Sequence, residues 1–160
     1  MDPNLDNIEI QFNNPEDIFG IGIKNLLSYR KNEPKFKKLV INWNKTIIFE
    51  FPDLYSLSIH FQGNKIEIKY GLVDKYDLKV IMPELNVMNE IARGDIGPIS
   101  GFLKGKIKIK KIYNIPVLLR FIKIFITALR IAGKRAKWYK ENKLTRIKLE
   151  DDFKYQGVEN

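Results

Sequence analysis

Cysteine is absent from the 160-residue chain, and histidine occurs once, at position 60. The absence of cysteine excludes disulfides, thiolate zinc sites and cysteine nucleophiles, and it fits a reducing compartment. A Ser–His–Asp triad or a multi-histidine metal site would depend on His60 alone, and we expect that residue to be solvated on a strand surface. The sequence also has no phosphate-cradling glycine loop and no nucleophile elbow. We therefore expect a non-enzyme with no catalytic residue, cofactor or metal.

Long uncharged apolar runs are also lacking. The most apolar window, residues 112–129, contains Arg120 and Lys123. Because a membrane-spanning helix needs about 20 mostly apolar residues, no spanning helix is predicted. The acidic N-terminus lacks the basic and apolar regions of a signal peptide. We expect a cytoplasmic protein that meets membranes, if at all, peripherally.

Acidic residues are scarce between residues 96 and 148. The net charge is +9, and residues 130–148 alone hold eight basic residues and one acidic residue. A chain of this length predicts one domain. We divide it into a flexible acidic lead-in (residues 1–14), one folded domain (15–131) and a basic extension (132–160). The extension interleaves Trp138 and Tyr139 with lysines, but no nucleic-acid module surrounds it, so nucleic acid is not the expected partner.

Alternation of apolar and polar residues predicts a mostly antiparallel sheet. Residues 39–51 read as two strands or one broken strand, and further strands are predicted at 55–62, 66–70, 76–82 and 106–110. Gly63-Asn64 is a two-residue hairpin turn. Apolar side chains share one face and polar side chains the other. This pattern indicates a sheet covered on a single face.

Helices are predicted at residues 14–28, from Pro83-Glu84 to Gly94, at 99–104 and from 115 onward, with a polar connector at 29–38. In the last helix, polar residues recur every three or four positions and form one narrow stripe. The apolar surface around that stripe is wider than an ordinary surface helix needs. Either the helix is wedged among other elements or forms a dimer contact, or it lines a lipid cavity or lies on a membrane.

These elements, in this order, resemble the sterol carrier protein-2 family. The resemblance rests on residues 76–82, the helix after them, Gly97-Pro98, and the segment 102–109, whose form is Phe-x-x-Gly-Lys-aliphatic-Lys-aliphatic. It covers residues 15–131. Lys111 departs from the family, which often has a glycine there, and the basic extension has no counterpart.

The resemblance implies an α+β fold: a mostly antiparallel five-stranded sheet, helices on one face around an apolar tunnel, and a long C-terminal amphipathic helix. It also implies non-covalent binding of an acyl, sterol-like, phospholipid or isoprenoid lipid. The residues expected to line the tunnel are apolar: Ile21, Leu26, Phe102, Leu103, Ile107, Ile109, Leu118, Leu119, Ile122, Phe125, Ile126 and Leu129.

The basic stripe and its continuation suit anionic headgroups, so we expect transient membrane docking there. The residues assigned to docking are Arg120, Lys123, Arg130, Lys134, Arg135, Lys137, Trp138 and Tyr139. The alternative is an interaction, dimerisation or scaffold module that uses the last helix as its interface. An accessory factor for isoprenoid-lipid biosynthesis would be one example.

Overall fold

A computed structural model of the chain describes residues 7–13, 18–84, 86, 87, 90, 91, 95–125, 127, 128 and 142. The strands are β1 (Glu9–Phe12), β2 (Lys45–Phe51), β3 (Tyr55–Gln62), β4 (Lys65–Tyr70), β5 (Leu78–Ile81) and β6 (Lys108–Lys110). The helices are α1 (Ile18–Ser28), α2 (Pro34–Val40), α3 (Pro98–Leu103) and α4 (residues 115–125, continued at 127 and 128). Residues 86, 87, 90 and 91 are also helical.

The six strands form one mixed sheet in the order β1-β4-β3-β2-β5-β6. Strands β2, β3 and β4 form an antiparallel meander, and β6 pairs antiparallel with β5. However, β1 runs parallel to β4, and β5 runs parallel to β2. The α+β class is confirmed, whereas the predicted number of five strands is wrong. Three of the five strand pairings are antiparallel, as expected of a mostly antiparallel sheet, and the two parallel pairings make the sheet mixed. The prediction of a flexible lead-in is also wrong for residues 9–12, which form β1.

Helix α2 stands where the sequence predicted a polar connector and then a strand. Pro34 occupies its first turn, where the missing N–H of proline removes no helical hydrogen bond. Phe36 and Val40 lie four residues apart and are fully buried. Asn42 then adopts a left-handed φ of 60° and reverses the chain before β2. The helical spacing of Phe36 and Val40 outweighs the strand-like alternation further along.

One face of the sheet carries the hydrophobic core. Its buried side chains from the central strands are Ile47, Phe49, Phe51, Leu57, Ile59, Phe61, Ile66, Ile68, Leu78 and Val80. The helices bury apolar side chains in the same cluster: Ile23, Leu26 and Leu27 of α1, Phe36 and Val40 of α2, and Val117, Phe121, Ile124, Phe125 and Ala128 of α4. Helices α1, α2 and α4 therefore cover this face, and burial of apolar surface holds the layers together.

The opposite face of the sheet is less exposed to solvent than the alternation of apolar and polar residues predicts. Ile48 of β2 and Ser58 of β3 face each other across the two strands, and both are fully buried. Lys79 pairs beside Ile48 on β5, and its side chain is only 11% exposed. Its ammonium forms an ion pair with Glu50. The expectation of one fully solvated face is therefore wrong at the centre of the sheet.

His60 lies on this second face and is only partly exposed. Its Nδ1 is 3.1 Å from the Thr46 hydroxyl, while its Nε2 is buried with no hydrogen-bond partner among the described residues. Burial lowers the pKa of His60, the nearby Lys69 lowers it further, and Glu67 partly opposes the shift. His60 lies on the predicted polar face of the strand, but it is less solvated than expected, because its Nε2 is buried.

Arg30, in the turn after α1, is a buried cation with only 3% exposure. Its Nη1 donates to the carbonyl oxygens of Ile124 at 2.7 Å and Lys123 at 3.3 Å, both in α4. Its Nε donates to Glu33 at 3.0 Å, and the guanidinium lies 5.0 Å from the centre of the Phe36 ring. Arg30 therefore ties the turn between α1 and α2 to the middle of α4.

Candidate functional site

Six aromatic side chains meet between the sheet and the helices, and we call them the aromatic cluster: Phe19, Phe49, Phe51, Tyr55, Phe121 and Phe125. Phe49 of β2 lies at its centre, with ring-centroid distances of 6.2 Å to Phe19 of α1, 5.9 Å to Phe121 and 5.4 Å to Phe125 of α4. Such tilted and edge-on contacts are the favoured geometry for aromatic pairs. The cluster joins both helices to one central strand through apolar contact alone.

A depression of about 160 Å³ adjoins the cluster at the end of the sheet, beside the turn between β2 and β3. The residues that line it are Glu50, Phe51, Pro52, Asp53, Leu54, Tyr55, Ser56, Tyr70 and Leu72. Phe51 and Tyr55 belong to both the depression and the aromatic cluster. The depression is smaller than ordinary ligand pockets, which hold about 300–1,000 Å³. As it stands, it has room for only part of a lipid.

The Tyr55 hydroxyl is an unmatched polar group of this region. Glu50 Oε2, in a residue that also lines the depression, likewise lacks a hydrogen bond within the described ranges but is ion-paired with Lys79. The Tyr55 hydroxyl is buried and has no hydrogen-bond partner in the part of the chain that the structure describes. The ring packs edge-on against Phe19 at 5.6 Å and against Tyr70 at 5.3 Å. Buried hydroxyls normally have a partner, and leaving one unpaired costs about 1–3 kcal/mol. The wall between cluster and depression therefore carries one unsatisfied polar atom.

The predicted tunnel residues do not all face one space. Leu26, Ile107 and Phe125 are buried in the core. Others are partly buried: Ile21, Phe102, Ile109, Leu118 and Ile122. Leu103 and Leu119 point outward with 77% and 52% exposure, and Ile126 and Leu129 lie outside the described residues. Sequence reasoning missed most of the aromatic cluster, although Phe49 and Phe51 of β2 and Tyr55 of β3 share one face of the sheet and could have indicated it.

The segment that carried the family resemblance has a structural role. Gly105 adopts a left-handed φ of 72°. A Cβ on Gly101 would lie 3.1 Å from the Ile107 side chain, closer than most real contacts. The backbone N–H groups of Lys106 and Ile107 both donate to the Gly101 carbonyl oxygen. The two glycines therefore permit the tight reversal from α3 into β6.

Only two of the predicted docking residues, Arg120 and Lys123, lie in the described part of the chain, and their surroundings differ. Arg120 is held within the protein: Nε donates to the Leu39 carbonyl oxygen at 2.6 Å, Nη2 donates to that of Lys38 at 3.2 Å, and the guanidinium lies 5.5 Å from the Trp43 ring. Burial lowers the pKa of Arg120. Lys123 is exposed. The other six lie outside the described residues: Arg130, Lys134, Arg135, Lys137, Trp138 and Tyr139.

Within the described ranges, no helix is long and apolar enough to cross a membrane. The same ranges contain no group of three His, Asp or Glu side chains that could hold a metal ion. What these ranges do contain is an apolar interior with one unmatched hydroxyl at its edge.

Comparison with known proteins identifies the fold. No protein-family model matches the chain, and no curated protein does. Among solved structures, it is similar to one described as UbiJ-SCP2 ubiquinone synthesis protein, with a TM-score of 0.51 and 16% identity over 72% of this chain and 95% of that chain. It also resembles a crystal structure of sterol carrier protein 2 (TM-score 0.49, 13% identity, 68% and 90% coverage). A third is the solution structure of sterol carrier protein domain 2 of Helicoverpa armigera (0.48, 20%, 78% and 95%).

The first of these similarities spans nearly all of the other structure. The chain therefore has a sterol carrier protein-2-like fold, as the sequence resemblance predicted. At 16% identity, the likeness is one of fold.

Proposed function

We propose that the protein is a non-catalytic lipid-binding protein that holds an apolar ligand between the sheet and helices α1 and α4. The ligand class is an acyl, sterol-like or isoprenoid lipid. The observation that carries the proposal is the buried, unpartnered Tyr55 hydroxyl between the aromatic cluster and an open depression. A lipid would place its tail against the aromatic rings and offer one polar group to that hydroxyl. The sterol carrier protein-2-like fold supports this assignment.

Entry of a whole lipid requires more room than the depression gives, and α1 is the element best suited to move. It contains Gly20 and Gly22, and each glycine lowers helix stability by about 1 kcal/mol relative to alanine. Gly22 is exposed, and a Cβ there would meet nothing within 4 Å. Displacing the start of α1 would withdraw Phe19 from Phe49 and Tyr55. Burial of roughly 400 Å² of hydrocarbon would then contribute on the order of 10 kcal/mol before ordering costs.

The proposal is tested by native mass spectrometry of protein purified without detergent. We expect a bound lipid, and we expect Tyr55→Phe to retain it about fivefold less, since it removes one hydrogen bond worth about 1 kcal/mol. Tyr29→Phe is the matched control, because Tyr29 is 55% exposed and does not line the depression. Repeated recovery of wild-type protein without lipid, together with no uptake from lipid vesicles, would contradict the proposal.

We further propose that the carrier docks transiently on anionic membranes through its basic C-terminal region, as a cytoplasmic, peripheral protein. A second candidate function is an interaction or scaffold module, for example in isoprenoid-lipid biosynthesis. It is favoured by Ile115 and Leu119 of α4, each 52% exposed, and by the likeness to a structure described as a ubiquinone synthesis protein. An Ile115→Gln/Leu119→Gln variant that loses a homodimer or protein partner while keeping its lipid would support this candidate.

A further inference from the structure

Four apolar side chains are exposed together where β6 turns into α4. We call them the corner patch: Ile112 (38% exposed), Tyr113 (77%), Ile115 (52%) and Leu119 (52%). Ile115 and Leu119 are one helical turn apart and so share a face of α4. The buried residues of α4, such as Val117, lie on the other side of the helix. The patch is therefore an outward surface that the core does not use.

The turn that presents the patch is held in place by Lys111. This residue adopts a left-handed φ of 60°, and the N–H of Asn114 donates to its carbonyl oxygen at 3.0 Å. Its ammonium donates to the Tyr76 carbonyl oxygen at 2.6 Å and lies 4.3 Å from the centre of the Tyr76 ring. Because Lys111 is anchored to the neighbouring loop, the turn holds Ile112 and Tyr113 in exposed positions.

The stretch of sequence that contains the patch is uniformly basic. Residues 96–140 contain twelve lysines and arginines and no aspartate or glutamate. Lys110 directly precedes the turn, Lys123 lies one helical turn beyond Leu119, and Lys108 stands on the same strand as Lys110. All three lysines are exposed. The described acidic residues all lie at positions 9–95. Those in the loop that holds Lys111 are Asp74 and Asp77, and Asp77 is ion-paired with Lys45.

We infer that the corner patch is a docking surface for an anionic lipid membrane. Its apolar side chains would enter the headgroup region, and the flanking lysines would contact lipid phosphates. Contact with a second copy of the chain would bring like charges together, which disfavours a symmetric dimer through this surface. The inference rests on the proposed function, because a lipid carrier must meet the membrane that supplies or receives its ligand. It adds the start of α4, ahead of the basic extension, to the docking region proposed above.

A single-cysteine reporter tests the location of docking, since the chain has no cysteine of its own. Tyr113→Cys carries a polarity-sensitive fluorophore, and Tyr29→Cys, at a residue 55% exposed in the turn after α1 and outside the depression, is the matched control. With vesicles of phosphatidylcholine and phosphatidylglycerol in equal parts, we expect a blue shift at position 113 and none at 29. Pure phosphatidylcholine or high salt should reduce the shift. No shift at 113, or a shift at 29 alone, overturns the inference.

Vesicle sedimentation with Ile115→Gln/Leu119→Gln tests the energetics, because the double substitution removes apolar surface and leaves the charge unchanged. We expect binding at least about tenfold weaker, and Tyr29→Gln, which removes an exposed ring outside the depression, should bind like the wild type. Unaltered binding, or a change in oligomeric mass on sedimentation, overturns the inference. Retained lipid in the same variant shows that its ligand site is intact. Absence of lipid in wild-type protein that still docks through the patch would count against the proposed function alone.

Discussion

Replacement of Arg30 by alanine tests whether the contact between α4 and the α1–α2 turn stabilises the fold. The side chain is almost fully buried and donates to two α4 carbonyl oxygens and to Glu33. Its removal leaves both carbonyl groups without this cationic donor and opens space beside the Phe36 ring. The substitution therefore removes hydrogen bonds and packing together.

The size of the effect follows from these contacts. A hydrogen bond to a charged group contributes about 1.5–3 kcal/mol, and the 2.7 Å bond to Ile124 is of the strong kind. The 3.3 Å bond to Lys123 is weaker, and the desolvation of a buried guanidinium opposes both. We expect a net loss of about 3 kcal/mol for Arg30→Ala. Arg30→Met, which retains the length of the side chain, should lose about 2 kcal/mol.

Equilibrium urea unfolding measures the free energy of unfolding of each variant, with Lys31→Ala as the matched control. Lys31 is exposed, so its substitution should change stability by less than about 0.5 kcal/mol. A loss below about 1 kcal/mol for Arg30→Ala, with an unchanged slope against urea, would show that the link to α4 contributes little.

Three further predictions concern backbone conformation and pH. Gly22→Ala should raise the free energy of unfolding by about 0.5–1 kcal/mol, because the added Cβ meets no atom within 4 Å. Gly105→Ala should lower it by about 1 kcal/mol, because the φ of this residue is left-handed. Thermal unfolding measures both changes. Lys111→Ala should be less stable than Lys111→Gly by about 1 kcal/mol, since both lose the bond to Tyr76 and only alanine keeps the strained φ. The lowered pKa of His60 means that the unfolded state binds more protons as pH falls below about 6.5, so stability should fall there. This loss of stability at low pH should be smaller in His60→Gln than in the wild type. Equal pH dependence of stability in the two proteins would refute the role of His60.

The sequence predicts the centre of the fold well and its edges poorly. The hairpin of β3 and β4 is predicted correctly because strict alternation flanks Gly63-Asn64, and both signals are local. The parallel pairing of β1 with β4 and of β5 with β2 could not be predicted, since alternation specifies faces and carries no information on neighbour or direction. Residues 34–40 fit a helix through the spacing of Phe36 and Val40, which the strand-like pattern after them obscured.

At the candidate site, residue type was a poor guide to the direction of a side chain. Leu119 and Phe125 belong to the same apolar helix, yet the first is exposed and the second is in the core. Arg120 lies on the polar stripe as predicted, but its guanidinium binds carbonyl oxygens at the end of α2. Which apolar or basic side chain turns inward depends on the neighbours that tertiary packing supplies. The unpartnered Tyr55 hydroxyl has no sequence signal at all.

The two ends of α1 are held differently, and this difference bears on how a ligand would enter. Its C-terminal end runs into Arg30, which is bonded to α4, whereas its N-terminal end rests on the sheet through the ring of Phe19. Helix α4 is itself fixed by Phe121 and Phe125 against Phe49. We therefore expect the start of α1 to swing outward while α4 stays in place. That motion would uncover Tyr55 beside the depression and leave the corner patch undisturbed, so ligand exchange and membrane docking would use separate parts of the fold.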